Sequence, residues 1–239
     1  MRRGLPAAFA ALIAAAVTLA GCTDADELQG TPQPSVSHTP QVTVTASDLE
    51  DELMEAVRAG DMGAVTAILN AGQDPNYWLD DATPLSRAIV ANNIEMAQLL
   101  LDAGALVETD EWSHTTVAAQ YGDAEMMRFI LDHGGTTTGS VNYRGWPLAT
   151  AAYAGNLDTV KVLLSLSADP NVIVTDEHGD FPILVYGVNG GSPEVVQALV
   201  EAGADPYLQG SDGKTAIDAA KAPGREQIAD YLGTVVPAA

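Results

Sequence analysis

Side chains able to do chemistry are few in this 239-residue chain, and they lie far apart. The only cysteine is Cys22, and the four histidines are His38, His114, His133 and His178. A lone thiol forms no intramolecular disulfide. As a nucleophile it would need a histidine held beside it, and none stands near Cys22. His38 lies in a stretch with nothing nearby to make it a ligand or a base. His178 sits in "TDEHGD" (175–180), an acidic turn without the spacing of a calcium loop. The sequence holds no His-Glu-x-x-His, no Cys-x-x-Cys and no Gly-x-Ser-x-Gly. "GVNGG" (187–191) is glycine-rich, but it falls between two helical segments and not after a strand, so it is no phosphate cradle. The expectation is no catalytic residue, no metal and no cofactor. An enzyme with an unrecognised acidic site is the weaker alternative, because the acidity has no matched His, Cys or Lys beside it.

What the chain has in quantity is negative charge. Asp and Glu total 32 against 10 Lys and Arg, a formal net charge of −22. Such a surface repels nucleic-acid phosphates and anionic head groups, which argues against nucleic-acid binding and favours a basic partner. Acidic pairs recur as Asp80-Asp81, Asp110-Glu111 and Asp176-Glu177.

The surroundings of Cys22 define its role. Arg2 and Arg3 precede an apolar run from Leu5 to Ala20, the build of a secretory signal. The run is shorter than the roughly 20 residues a bilayer span needs. Leu19-Ala20-Gly21-Cys22 resembles the lipobox of bacterial lipoproteins. That resemblance implies a diacylglyceryl group on the Cys22 thiol, cleavage just before it, and acylation of the new N-terminus. Two or more acyl chains hold a protein on a membrane stably, whereas one does so marginally. Residues 1–21 are thus expected to be a signal peptide, and the mature protein a lipoprotein on the extracytoplasmic side of a bacterial membrane. Loss of Arg2 and Arg3 with the leader would take the charge from −22 to −24.

Residues 22–47 carry the lipidated cysteine and a Thr/Pro/Ser-rich stretch without apolar periodicity. This composition buries too little surface to fold and reads as a disordered tether. From Asp48 to Val236 the chain repeats itself. "ILNAGQDPN" (68–76), "LLDAGALVE" (100–108), "ILDHGGTTT" (130–138), "LLSLSADPN" (163–171) and "LVEAGADPY" (199–207) start 32, 30, 33 and 36 residues apart. Ahead of them stand "TPLSRAIVANN" at Thr83, "SHTTVAAQYGD" at Ser113, "WPLATAAYAGN" at Trp146 and "FPILVYGVNGG" at Phe181. "DELMEAVRAGD" at Asp51 and "TAIDAAKAPGR" at Thr215 open and close the series.

These segments resemble the ankyrin repeat. The resemblance implies an all-α solenoid of about six helix-turn-helix repeats with inter-repeat loops. Proline suits the first helical turn, where its missing N–H costs nothing. Small residues such as Ala88, Ala118 and Ala151 let helices approach, and apolar pairs such as Leu99/Leu100 and Phe129/Ile130 fill the space between repeats. The copy at Phe181 needs one extra residue, expected as a longer turn around Gly190-Gly191. Ser86, Thr116, Ala149 and Leu184 stand where the family usually has histidine, which removes part of its shared hydrogen bonding and lowers the expected stability. His114 and His133 are read as structural or solvated.

The resemblance also implies where a partner binds: finger tips and the concave face of the first helices. Carried over, those places hold Leu79, Asp80, Trp112, Tyr143, His178 and Asp180 on the fingers, and Arg58, Gln120, Tyr121 and Tyr153 on the first helices. Trp112, Tyr121, Tyr143 and Tyr153 are expected to form one exposed cluster on the concave side rimmed by Asp80, Asp110 and Asp180, since Tyr and Trp dominate interface energies. Trp78, Trp146 and Phe181 are assigned to packing at the finger bases. The implied function is a monomeric, lipid-anchored module for protein–protein interaction, holding or neutralising an envelope or secreted protein. A purely structural envelope spacer is the remaining alternative.

Overall fold

The computed structural model describes residues 46–79, 82–109, 113–138, 146–176 and 179–235. Cys22 and the tether lie outside the described residues. Among the described residues, twelve helices follow one another as six antiparallel pairs. The first helices are α1 (Ala46–Ala59), α3 (Pro84–Val90), α5 (His114–Tyr121), α7 (Trp146–Tyr153), α9 (Ile183–Gly190) and α11 (Ala216–Ala219). The second helices are α2 (Met62–Asn70), α4 (Ile94–Asp102), α6 (Ala124–Asp132), α8 (Leu157–Ser165), α10 (Pro193–Glu201) and α12 (Glu226–Leu232). Each first helix packs on the next first helix, so the pairs stack into a solenoid.

The second helices share one rule. Asp61, Asn93, Asp123, Asn156 and Ser192 cap α2, α4, α6, α8 and α10 through side-chain oxygens that accept a backbone N–H of the first turn. Seven residues after each cap lies a buried aliphatic residue: Ile68, Leu100, Ile130, Leu163 and Leu199, with Leu232 in the same place of α12. Residues three and four after the cap complete the stripe, as in Met126 and Met127 of α6. Each such side chain contributes roughly 1.5–3 kcal/mol on burial. In the apolar pairs read from the sequence, one member is fully buried and its neighbour only partly so.

First helices carry a small residue at one fixed place: Ala56, Ala88, Ala118, Ala151, Gly187 and Ala220, all buried. The glycine shows why. A Cβ on Gly187 would sit 3.0 Å from Leu199 Cδ1 and 3.6 Å from Val195 Cγ1 of α10. This contact corrects the expected register of the fifth repeat. With Phe181 at the start, Tyr186 would stand in the place of Ala88, where no ring fits. Instead Pro182 occupies the N-cap, with no side-chain cap bond. Gly191 (φ +76°) precedes Ser192 as Asn92 (φ +49°) precedes Asn93. The turn at Gly190-Gly191 is therefore not lengthened, and the extra residue lies ahead of α9.

It lies in a hairpin. β1 (Ile173–Asp176) pairs antiparallel with β2 (Gly179–Pro182), Val174 opposite Phe181. Among the described residues, the first two fingers each show a single bridge, Leu79 with Ala82 and Glu108 with Ser113. Phe181 packs on the core as expected. Trp78 does not, being 51% exposed on the first finger. Next to it Tyr77 is buried, its hydroxyl donating to the Glu50 carbonyl at 2.5 Å, and burial pushes that phenol far above its ordinary range.

Hydrogen bonds across repeats come from residues other than the family's usual histidine. Asn76 Nδ2 donates to the Gly104 carbonyl at 3.0 Å while its Oδ1 accepts from Leu106 N at 2.8 Å. Asn171 repeats this with the Gly203 carbonyl and Asp205 N, both at 2.8 Å. His114, fully enclosed at the start of α5, lies 2.6 Å from Thr83 Oγ1 through Nε2 and 3.0 Å from the Val107 carbonyl through Nδ1. Its role is structural. His133 stays exposed at the end of α6, its Nδ1 donating to the Phe129 carbonyl at 2.7 Å.

Candidate partner-binding face

First helices run from the fingers to the turns that lead into the second helices. At the turn end of this layer three apolar side chains stand out of the protein. Val90 ends α3, Tyr121 ends α5 and Tyr153 ends α7, exposed by 47%, 54% and 59%. They occupy neighbouring repeats, because α3 packs on α5 and α5 on α7.

The backbone beneath them is fixed by side chains of the turns. Asn92 Oδ1 accepts from Asp123 N at 3.0 Å and ties the end of α3 to the end of α5. Asn156 Nδ2 donates to the Gly122 carbonyl at 2.8 Å and ties α5 to the turn after α7. On the far side α9 closes against Tyr153. A Cβ on Gly190 would meet the Tyr153 carbonyl oxygen at 2.4 Å, so only glycine permits this contact. The tyrosine rings therefore project from a rigid base.

Of the residues expected to form the binding face, Tyr121 and Tyr153 are exposed at the turn ends of adjacent first helices. Asp180 does not join them. It lies in β2 at the finger end, its Oδ1 accepting from Thr175 Oγ1 at 2.6 Å, while its own N–H donates to Ser211 Oγ at 3.0 Å. A seven-residue first helix, about 10 Å long, separates finger end from turn end. Trp112, Tyr143, Asp80 and Asp110 lie outside the described residues, as do His178 and the side chain of Trp146.

Sequence reasoning passed over two features. Val90 looks like core in an apolar run, but the helix ends there and leaves it outside. The second is a row of carboxylates. Glu95, Glu125, Asp158 and Glu194 each stand two residues after the cap of a second helix, and all four are exposed. The signal was legible as a repeated cap-x-acid pattern: Asn93-Ile94-Glu95, Asp123-Ala124-Glu125, Asn156-Leu157-Asp158 and Ser192-Pro193-Glu194. Acid in a first helical turn is favoured by the helix dipole, which accounts for one such residue on any helix. Its recurrence puts an exposed carboxylate four or five residues after each of Val90, Tyr121 and Tyr153, across the turn into the second helix.

Among the described residues no group of three or more His, Cys, Asp and Glu is placed to hold a metal, and no helix is long and apolar enough to cross a membrane.

A family model for ankyrin repeats matches residues 53–138, 104–174 and 148–234, three overlapping copies that cover the whole stack. The chain belongs to the ankyrin-repeat family. Among curated relatives, the ankyrin repeat protein YahD of Escherichia coli is 29% identical over 199 residues, 79% of this chain and 98% of that protein. The ankyrin repeat and KH domain-containing protein mask-1 of Caenorhabditis elegans is 30% identical over 187 residues, but the match spans only 7% of its length. The crystal structure of the ankyrin repeat protein EF0377 has 28% identity and a TM-score of 0.59, covering 78% of this chain and 98% of that one. The human ASB11 ankyrin repeat domain gives a TM-score of 0.64 at 24% identity, a likeness of fold alone. Ankyrin repeats are interaction domains and typically not enzymes.

Proposed function

We propose that this ankyrin-repeat chain is a lipid-anchored, extracytoplasmic receptor for another protein, which it holds or neutralises in the cell envelope. Its binding surface is the first-helix layer centred on Tyr121 and Tyr153, extended by Trp112 and Tyr143 from the fingers. Asp80, Asp110 and Asp180 belong to the finger edge of the same surface and steer a basic partner. The observation that carries the reading is the exposure of two tyrosines on adjacent first helices whose backbones are pinned by Asn156 and Gly190. Large aromatic groups held rigidly in water gain most when a partner covers them, because little conformational freedom is left to lose.

The anchor is Cys22, within Leu19-Ala20-Gly21-Cys22 behind a basic, apolar leader. Nucleic acid is no partner for a chain of net charge −22.

Two experiments separate the halves of this reading. Cells fed an alkyne fatty acid label the wild-type chain in the membrane fraction and leave Cys22→Ala unlabelled and unanchored. An unlabelled wild type, or a membrane-bound Cys22→Ala, rules out the lipid anchor. For the surface, wild-type chain and a Tyr121→Ala/Tyr153→Ala variant are used to capture proteins from solubilised envelopes. A partner enriched on the wild type is lost on the variant, whose helical circular dichroism is unchanged. Equal recovery on both assigns binding to another face.

A further inference from the structure

The exposed ridge of Val90, Tyr121 and Tyr153 is flanked along the turn edge by Glu95, Glu125, Asp158 and Glu194. Glu194 accepts from Ser192 Oγ at 3.2 Å. Glu95, Glu125 and Asp158 enter no ion pair among the described residues. The aromatic ridge makes this a surface, and the carboxylates select its occupant. From these two features we infer that the face takes an extended, proline-bearing segment of a partner protein with Arg or Lys at every third residue. This inference rests on the protein-binding reading above and names the partner's chemistry.

The spacing comes from the stack. α6 packs on α8 and α8 on α10, and packed helices lie about 8–10 Å apart, so Glu125, Asp158 and Glu194 recur at about that interval. A polyproline II chain advances about 3.1 Å per residue with three residues per turn, so one of its faces recurs every ~9.3 Å. The two periods match from α6 to α10. A segment with cations on one face would set each of them against one of Glu95, Glu125, Asp158 and Glu194, or over a tyrosine ring. Its intervening prolines would lie on Tyr121 and Tyr153, as proline-rich segments lie on aromatic-lined grooves. The segment's backbone is already extended and loses little freedom on docking. An α-helix meets the same period only once in about six residues, given its 1.5 Å rise, and presents fewer cations to the same acids.

The geometry separates the two ends of each second helix. Exposed Asp102 ends α4, the helix whose first turn carries Glu95, and its Oδ1 accepts from Gln98 Nε2 at 2.8 Å. Neutralising it leaves the ladder intact.

The test uses the purified full chain and two fluorescein-labelled 15-residue peptides of identical composition. One is Arg-Pro-Ala repeated five times. The other has its five arginines contiguous. Fluorescence anisotropy is expected to show the spaced peptide binding at least tenfold more tightly. Glu125→Gln with Asp158→Asn should weaken it tenfold or more, and Tyr121→Ala with Tyr153→Ala likewise, whereas Asp102→Asn changes little. Circular dichroism confirms that each variant is folded. Equal binding of the two peptides, no binding of either, or indifference to the Glu125/Asp158 pair overturns the inference. Envelope capture tells the two levels apart. If the Glu125→Gln/Asp158→Asn chain retains a partner that the tyrosine variant loses, the basic-segment inference fails and the protein-binding reading stands. If the tyrosine variant retains that partner, binding lies on another face, and the Tyr121/Tyr153 surface fails together with this inference.

Discussion

In the second repeat the first helix begins Thr83-Pro84-Leu85, and in the third it begins Ser113-His114-Thr115. The backbones correspond, with Thr83 and Ser113 both capping through their hydroxyls. Pro84 and Leu85 are buried by packing alone. His114 and Thr115 are buried too, and each of their polar atoms has been given work. Thr83 Oγ1 already accepts from Ser86 N, so its single proton goes to His114 Nε2, and Nδ1–H donates to the Val107 carbonyl. Thr115 donates its hydroxyl to Glu108 and accepts from Thr136 N at 3.2 Å. One place in the fold thus tolerates either apolar filling or a satisfied polar network. The two should fail differently when broken.

The largest effect is expected at the apolar version. Leu85→Ala leaves a cavity between α3 and its neighbours and should cost about 2–5 kcal/mol, read from the urea midpoint at constant slope. Thr115→Val, nearly isosteric, should cost about 1–3 kcal/mol by stripping Glu108 and Thr136 of a partner. If the valine variant were neutral, the third repeat would be held by shape and not by its hydrogen bonds.

The next effect belongs to pH. Burial pushes His114 down to about 4, against which its hydrogen bond to the Val107 carbonyl works only in part. An unfolded histidine titrates near 6.5, so between these values the unfolded chain binds more protons and stability rises with pH. The contribution is complete above about 6.5 and lost as pH falls through about 4, where it amounts to about 3 kcal/mol. Urea midpoints measured from pH 7 to pH 4 should fall more steeply for the wild type than for His114→Gln. Parallel lines would show that this imidazole protonates freely, and the contrast with Pro84 would then be steric only.

The smallest effect compares the ends of two second helices. Gly134 after α6 has φ +102°, and Ser167 holds the corresponding place after α8 at φ +64°. A side chain there is strained by roughly 1–2 kcal/mol, partly offset by the greater freedom glycine has when unfolded. Ser167→Gly should stabilise the protein by about 0.5–1 kcal/mol in the same urea assay, and Gly134→Ala should destabilise it by a similar amount.

The second helices were legible in the sequence because cap, apolar stripe and left-handed terminus all recur within one short element. The first helix of the fifth repeat was not. Phe181-Pro182 imitates Trp146-Pro147, and only the contact of Gly187 with α10 reveals which residue faces inward. Trp78 misled for a related reason, since apolar mass predicts packing but a finger places it outside. For the candidate site, the sequence identified Tyr121 and Tyr153 as first-helix residues. It passed over the exposed acids in the first turns of the second helices, because a single cap-x-acid triplet is explained by its own helix. Only comparison across repeats shows that the triplet recurs, a property of the stack and not of any one repeat.

The two asparagine bridges carry a mechanical consequence. Asn76 and Asn171 each fasten a finger to the next repeat through both a carbonyl and an N–H. Glu108 and Thr138 hold the corresponding places in the two repeats between them, and neither carries a carboxamide. Treated as a spring, the solenoid carries this double clasp on its finger edge at the joints between its first and second and between its fourth and fifth turns. The central joints are clasped on the opposite edge, by Asn92 on Asp123 N and by Asn156 on the Gly122 carbonyl. Under load the middle of the coil would therefore open at its fingers, while the edge that displays Tyr121 and Tyr153 keeps its pitch.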